Sequence, residues 1–463
     1  MRLTLTLLCL CSTVAAAADL PGLKVDGSRR YLETTDGAPF FYLADTAWEL
    51  FHRLDRDEAI AYLDDRAEKG FNVVQPVALA ELGGLTVANP YGHLPLIDGD
   101  PTRPDVRPGP ENDYWDHVDF VIDAAAERGI YTALLPTWGS HWQVAPWQKR
   151  NNKRTPLGLV FNSDNARTYG RWIATRYRDR PVIWVLGGDR DIVTDADEAV
   201  TDAMAAGIGE VVGDSQLITY HPSGAGRPYH ERLFANEWLD FMMVQSGHGR
   251  CVDNGGLIAT NRARSPAKPV VDGEPNYEDI TRGFNLKHGR FDDREVRRAA
   301  WRAVLSGAAG HTYGHNAVWQ MHDGGPDGRF AATRSWREAL DRPGADDMRH
   351  LRDFAERNDW TEWKPRPDAV TEDDVPACET AACVAAGESL ILYISTRRAV
   401  TVRDATLADG PIDVEYFDVR TGSKRSATVN AEPDGSVRIA PPDGEAVDWV
   451  AVITSRRNSE RGL

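Results

Sequence analysis

The sequence predicts an α/β fold, a (β/α)8 TIM barrel, followed by a small antiparallel β-sandwich. Two observations carry that reading. Apolar strand-like runs alternate with amphipathic helix-like stretches eight times over about 300 residues, the order and length of a parallel-strand barrel. After Pro365-Arg366-Pro367 the pattern changes to short β runs separated by turn residues, as in a small sandwich. The boundaries read as 1–18 for a signal peptide, 19–365 for the barrel and 366–463 for the sandwich. A doubly wound sheet is the alternative, because the fifth and sixth helices are poorly marked.

Each unit has its own signal. The first strand, Phe40 to Leu43, ends at Asp45. Asp55-x-x-Glu58 reads as a capping box. It opens a helix with Ile60, Leu63 and Ala67 on one face and Gly70 at its end. Phe71 to Val77 is strand two. Asp113-x-x-Asp116 starts a helix carrying Trp115, Val118, Ile122 and Ala125 at helical spacing. Ile130 to Leu135 is strand three, and Asn165 to Tyr177 the helix after it. Val182 to Leu186 is strand four, and Asp195-x-x-Glu198 caps the next helix. Leu217 to Tyr220, Phe241 to Val244 and Val270-Val271 are strands five to seven. Asp292-x-x-Glu295 caps a helix to about Ser306, and Gly310 to Tyr313 is strand eight. A helical stretch, Ser335 to Arg357, leads to a linker at Pro365-Arg366-Pro367. The sandwich strands read as Leu390–Ile394, Ile412–Val419, Val437–Ala440 and Trp449–Thr454.

Composition narrows the partners. The formal net charge of -17 repels nucleic acid and anionic lipid surfaces. Met1-Arg2, an apolar run from Leu3 to Val14 and Ala15 to Ala18 describe a secretory signal peptide cut after Ala18. The expected destination is therefore secreted or periplasmic, with Cys11 raising a lipoprotein alternative. The apolar run is too short to span a bilayer, so no membrane span is expected. Cys251, Cys378 and Cys383 lie beyond it. Cys378 and Cys383 are close enough to clip a small loop in an oxidising compartment, which leaves Cys251 as a buried small hydrophobe. No cofactor and no metal is expected. There is no Cys-x-x-Cys pair, and His311-x-x-x-His315 lies in a strand and loop rather than on a helix.

The chemistry is expected where strands four and seven end. Val182-Ile183-Trp184-Val185-Leu186-Gly187-Gly188-Asp189 and Pro269-Val270-Val271-Asp272-Gly273-Glu274 each stop at glycine and a carboxylate. Carboxylates at the C-terminal ends of barrel strands read as catalytic. Asp189 is the candidate general acid/base, because burial or a nearby negative charge holds a proton on such a group. Glu274 is the candidate nucleophile, lying between Gly273 and Pro275. Two such groups about 5 to 5.5 Å apart make a retaining glycoside hydrolase. Asp191 and Asp272 compete for the two roles. The opposing bland readings pair Asp189 with Arg190 and Glu274 with Arg282.

Other strand ends carry residue types that bind sugars: hydroxyl partners and flat rings. Asp45 and Trp48 follow strand one, and Gln75 lies in strand two. Trp138, His141 and Trp142 follow strand three. His221 follows strand five, Gln245 and His248 follow strand six, Tyr277 follows Glu274, and His311 and Tyr313 lie in strand eight. The expected partner is a carbohydrate, an oligo- or polysaccharide. The rival expectation is a non-catalytic carbohydrate-binding or adhesion protein on the same scaffold.

Ala44-Asp45-Thr46-Ala47-Trp48-Glu49-Leu50, Gly70-Phe71-Asn72-Val73-Val74-Gln75, Trp184-Val185-Leu186-Gly187-Gly188-Asp189 and Gly310-His311-Thr312-Tyr313-Gly314 together resemble the signatures of apiosidase-like glycoside hydrolases, family 140. The resemblance runs from about residue 24 to the C-terminus. It implies a barrel followed by a sandwich of the type labelled collagen-binding, on Phe417-Asp418-Val419-Arg420-Thr421-Gly422 and Asp448-Trp449-Val450. It also implies a retaining mechanism with Asp189 as acid/base and Glu274 as nucleophile, on apiofuranosyl linkages such as those of the pectin rhamnogalacturonan II. Related retaining barrels place Asn-Glu at the end of strand four. Gly188-Asp189 stands there in this chain, which sets it apart from a generic cellulase.

Overall fold

The computed structural model describes residues 20–145, 157–224, 229–407, 410–444 and 447–456. The expected signal peptide lies outside the described residues. Eight parallel strands form the barrel: β1 Tyr42–Thr46, β2 Val73–Gln75, β3 Tyr131–Leu134, β4 Val182–Gly187, β5 Ile218–His221, β6 Met242–Val244, β7 Val270–Asp272 and β8 Gly310–Tyr313. Their order is β5-β4-β3-β2-β1-β8-β7-β6. The ring is nearly closed between β5 and β6, where Asp240 N donates to Ile218 O and Thr219 Oγ1 to Phe241 O. A three-stranded antiparallel sheet, Leu23–Val25, Leu32–Thr34 and Pro39–Phe40, precedes the barrel.

Helices α1 Arg56–Glu68, α2 Tyr114–Glu127, α3 Ser163–Tyr177, α4 Asp195–Val212, α5 Glu231–Phe234, α6 Asn254–Arg262, α7 Asp293–Leu305 and α8 Pro343–Arg357 surround it. The capping boxes at Asp55 and Asp292 form as expected. The one at α4 sits a residue earlier: Thr194 is the cap, and Asp197 closes the box instead of Glu198. Three-residue spacing fits both pairs, and Thr194 starts the helix. Helix α5 has only four residues, which explains its faint signal. The expected helix from Ser335 is broken into Trp336–Leu340 and α8, with Pro343 at the start of α8.

Strand residues alternate between two layers. Tyr42, Ala44, Val73, Tyr131, Ala133, Ile183, Val185, Met243 and Val271 fill the barrel interior. Their neighbours Val74, Leu134, Trp184, Val244 and Val270 pack outward on the helices.

The C-terminal region is a sandwich of two antiparallel sheets. Its strands are β9 Lys364–Pro365, β10 Val370–Thr371, β11 Ala382–Ala386, β12 Ser389–Ile394, β13 Val400–Val402, β14 Pro411–Phe417, β15 Lys424–Asn430, β16 Val437–Ile439 and β17 Trp449–Ser455. One sheet runs β9-β11-β12-β17-β14-β15 and the other β10-β13-β16. The segment read as a linker is therefore an edge strand: Lys364 and Pro365 pair with Ala385 and Val384, and Arg366 N donates to Cys383 O.

The sandwich is fused to the barrel. Trp301 of α7 and Phe354 of α8 share one buried cluster with Val384, Ile391, Tyr393, Phe417 and Val450. Within that contact Arg297 is fully enclosed. Its Nε and Nη2 donate to Asp448 at 2.9 and 3.0 Å, and Nη1 donates to Asp347 at 2.5 Å. The Tyr393 hydroxyl also donates to Asp448. Burial raises Asp347 to about 7 despite the arginine beside it.

The disulfide differs from the expected one. Cys251 bonds Cys378, and Cys383 is a buried free thiol. Proximity in sequence misled: Cys383 lies in β11 and faces the sandwich interior, while Cys378 reaches the loop after β6. Closing a loop of 127 residues stabilises the fold by about 4 to 5 kcal/mol in the chain-entropy account. Peptide mapping without reductant is expected to join the Cys251 and Cys378 peptides and leave Cys383 alkylable only after unfolding. The Cys251→Ser variant is expected to melt several degrees lower.

Candidate active site

The turn after β4 is built from three residues in left-handed backbone: Gly187, Gly188 and Asp189, with φ of 93°, 81° and 61°. Glycine is required at the first two on a second count as well. A Cβ on Gly187 would lie 2.4 Å from His221 O, and one on Gly188 2.7 Å from Gly139 N. Asp189 is a non-glycine residue in the same region, a strain of about 1 kcal/mol. Surrounding bonds hold it there. Trp142 Nε1 donates to Gly187 O at 3.0 Å, Gly139 N to Gly188 O at 3.0 Å, and Arg190 Nη1 to Asp189 O at 2.7 Å. The turn aims the Asp189 carboxyl back over the barrel mouth, where its side chain remains 32 % exposed.

Glu274 follows β7 by two residues. Gly273 is there for close approach: a Cβ would lie 2.1 Å from Met243 Cγ. Gly273 O accepts from Gln75 Nε2, and Glu274 O accepts from Gly247 N. The carboxylate is 9 % exposed and meets two imidazoles, His221 Nε2 at 3.0 Å from Oε2 and His248 Nε2 at 3.0 Å from Oε1. The tautomers follow from the other ring nitrogens. His221 Nδ1 accepts from Asp189 N, and His248 Nδ1 accepts from Tyr277 N. Each Nε2 therefore carries the hydrogen; His248 donates it to Glu274, and His221 presents it 3.0 Å from the other carboxylate oxygen.

The two carboxyl groups are thereby pushed apart in acidity. Asp189 rises to about 6, chiefly by burial and then by the negative charge of Glu274; Arg190, His221 and the Gly224 amide oppose the shift. In Glu274 burial acts upward, yet the hydrogen bonds from His221 and His248 overcome it and hold the group far below the ordinary carboxylate range. At neutral pH one group is a ready anion and the other titrates near the working range, the division of labour an acid and a nucleophile need.

Aromatic rings wall this pair. Trp48 lies 5.3 Å from the His221 ring and 5.4 Å from Trp138, and Tyr277 lies 4.6 Å from His248. Burial, and then the charge of Glu274, raises the Tyr277 hydroxyl well above its ordinary value. Gln245 packs against Gly224, whose amide serves Asp189. Gln75 points into the barrel, bonding Tyr42 and Gly273 O.

Other expected site residues are placed elsewhere. Asp45 accepts from Tyr62 and Arg66 of α1, and Tyr313 donates to Glu278. The pleat explains both, since Asp45 pairs with Tyr313 and Leu43 with His311 across β1 and β8. That row of side chains faces the outer layer with Leu43. His311 is buried there and pushed down to about 3. His141 bonds Thr137, and burial lowers it to about 4. Trp142 supports the Gly187 turn from outside. Asp272 is held by Ser246 and Asn254, Asp191 accepts from Ser223 N, and Arg282 pairs with Glu295 rather than Glu274.

Sequence reasoning missed Glu81, in the loop after β2. Burial and then the charges of Asp189 and Glu49 raise it to about 8. No motif surrounds it, so only the spatial neighbour reveals it. Trp319, in the loop after β8, joins the same interior cluster as Trp48, Trp138 and Tyr277. Its position past a strand end was a usable signal.

The comparisons agree with this architecture. The profile of the "Apiosidase-like, catalytic domain" family matches residues 26–362. No curated protein matches. A solved glycoside hydrolase family 5 protein from Bacteroides vulgatus ATCC 8482 is similar at 28 % identity and a TM-score of 0.81, over 94 % of this chain and 93 % of that one. A second structure, described as a glycoside hydrolase, gives 28 % identity and a TM-score of 0.82 over 96 % and 99 %. With a barrel whose mouth holds Asp189 and Glu274, and with a profile match across nearly all of that barrel, the chain belongs to the apiosidase-like family of glycoside hydrolases.

Proposed function

We propose that the protein is a secreted retaining glycosidase acting on a furanosyl, apiofuranosyl-like linkage of a plant-type polysaccharide or glycoside. The observation that carries the mechanism is the placement of Asp189 and Glu274 at the two nitrogens of one His221 ring, Asp189 N on Nδ1 and Glu274 Oε2 3.0 Å from Nε2, with burial holding the proton on Asp189 more readily than on Glu274. Glu274, kept anionic by two imidazole N–H donors, attacks the anomeric carbon. Asp189 gives its proton to the leaving glycosidic oxygen as that bond breaks, leaving a glycosyl ester on Glu274. Asp189, now a carboxylate, takes a proton from water. That water attacks the anomeric carbon, displaces Glu274 and restores both groups. The furanosyl assignment rests on family membership. Secretion is supported by the N-terminal segment and by the Cys251–Cys378 bridge, a bond of oxidising compartments.

The Glu274→Ala variant is expected to lose turnover of an aryl apiofuranoside on the order of 10^4-fold or more while keeping its fold. Azide is expected to rescue it, giving a glycosyl azide of inverted configuration by NMR; unchanged turnover removes Glu274 from the nucleophile role. Asp189 must be protonated to act as the acid, so kcat/KM is expected to fall as pH rises through about 6, and Asp189→Asn to abolish that limb. Removing a donor from Glu274 disfavours its charged form. His248→Ala is therefore expected to move the acidic limb of the pH profile upward by about one unit, and an unmoved limb contradicts the assigned bond.

A further inference from the structure

Two phenylalanines stand where burial cannot explain them. Phe284 is 53 % exposed and Phe330 42 %. Both sit on left-handed backbone, with φ of 58° and 49°, a conformation that costs a bulky residue about 1 to 2 kcal/mol. Yet the rings meet, with centroids 4.5 Å apart and planes inclined by 33°. The loops that carry them are fixed from below. Gly283 N donates to His248 O, and Arg282 is paired with Glu295. Arg329 N donates to Gln320 Oε1. Arg290 ties the two loops together by donating to Asp279 O and to Ala331 O. Strain held this firmly on exposed aromatic side chains marks a site of use.

The pair is continuous with the catalytic pocket. Phe284 lies 5.3 Å from the ring of His248, which donates to Glu274, and Phe330 lies 6.3 Å from Trp319. We infer that Phe284 and Phe330 form a stacking platform for the sugar ring next to the linkage that is cleaved. The inference rests on the glycosidase reading above. The apolar C–H face of a sugar ring matches a phenyl ring, which offers no hydrogen bond. The polar selection stays with the pocket, and the platform adds affinity for a substrate longer than one unit. A protein or lipid partner fits less well, because Phe284 adjoins His248, the imidazole that donates to Glu274.

The test compares two substrates, a pectic oligosaccharide with terminal apiosyl groups and methyl apiofuranoside, with Phe284→Ala and Phe330→Ala. The ratio of kcat/KM on the oligosaccharide to that on the methyl glycoside is expected to fall about tenfold in each variant, through KM. Phe284→Trp is expected to keep the wild-type ratio. A ratio unchanged in both alanine variants overturns the platform. Binding is read separately with the Glu274→Gln protein by electrophoresis in gels containing the pectic polysaccharide. Retardation that disappears on adding Phe284→Ala supports the platform even if the wild type hydrolyses neither substrate, an outcome that defeats the glycosidase reading alone. Retardation that is absent, or indifferent to both phenylalanines, overturns it.

Discussion

The His221 imidazole is the contact on which the site depends. One ring nitrogen accepts the amide of a strained residue after β4; the other lies 3.0 Å from the carboxylate after β7. A ring nitrogen that accepts cannot also donate, so the bond to Asp189 N decides which nitrogen serves Glu274. The tautomer links two turns separated by 85 positions in the chain. The barrel brings them together, and the ring sets their relative placement. Trp48 and Trp138 pack on the same imidazole, so the pocket wall and the acid–nucleophile pair share one support.

Much of this was legible in the sequence because it depends on local rules. Apolar runs ending at glycine and carboxylate gave β4 and β7, and the Asp55 and Asp292 capping boxes gave two helix starts. What escaped depends on side-chain direction and on distant partners. Asp45, His311 and Tyr313 lie in strands that lead to the catalytic face, but a period of two turns that row of residues outward. No count of strand ends reveals this without the register. Glu81 has no motif, and its acidity comes from neighbours distant in sequence. The cysteine pairing failed for the same reason. The spacing of Cys378 and Cys383 suggested a bond, whereas the loop after β6 supplied the true partner.

Backbone strain recurs in the loops around the pocket. Asp189, Phe284 and Phe330 all occupy conformations that favour glycine, and each is held by hydrogen bonds from loops outside its own turn. Buried charges are arranged with similar economy. Arg297 is paired with Asp448 and Asp347 where the barrel meets the sandwich, and in the pocket Arg190 Nη1 lies 3.7 Å from the Asp189 carboxylate.

The bridge from Cys251 to Cys378 lies three positions beyond His248. The C-terminal sandwich thus grips the loop that carries a ligand of the nucleophile, and a strand of that sandwich begins where a hinge was expected. Such a module is not portable. Excising it would bare the flank of α7 and α8 and unfasten the His248 loop, and grafting it onto another barrel would require a cysteine at the matching place. In this protein the sandwich works as a brace for the hydrolase, so the two halves have to be inherited and engineered as one unit.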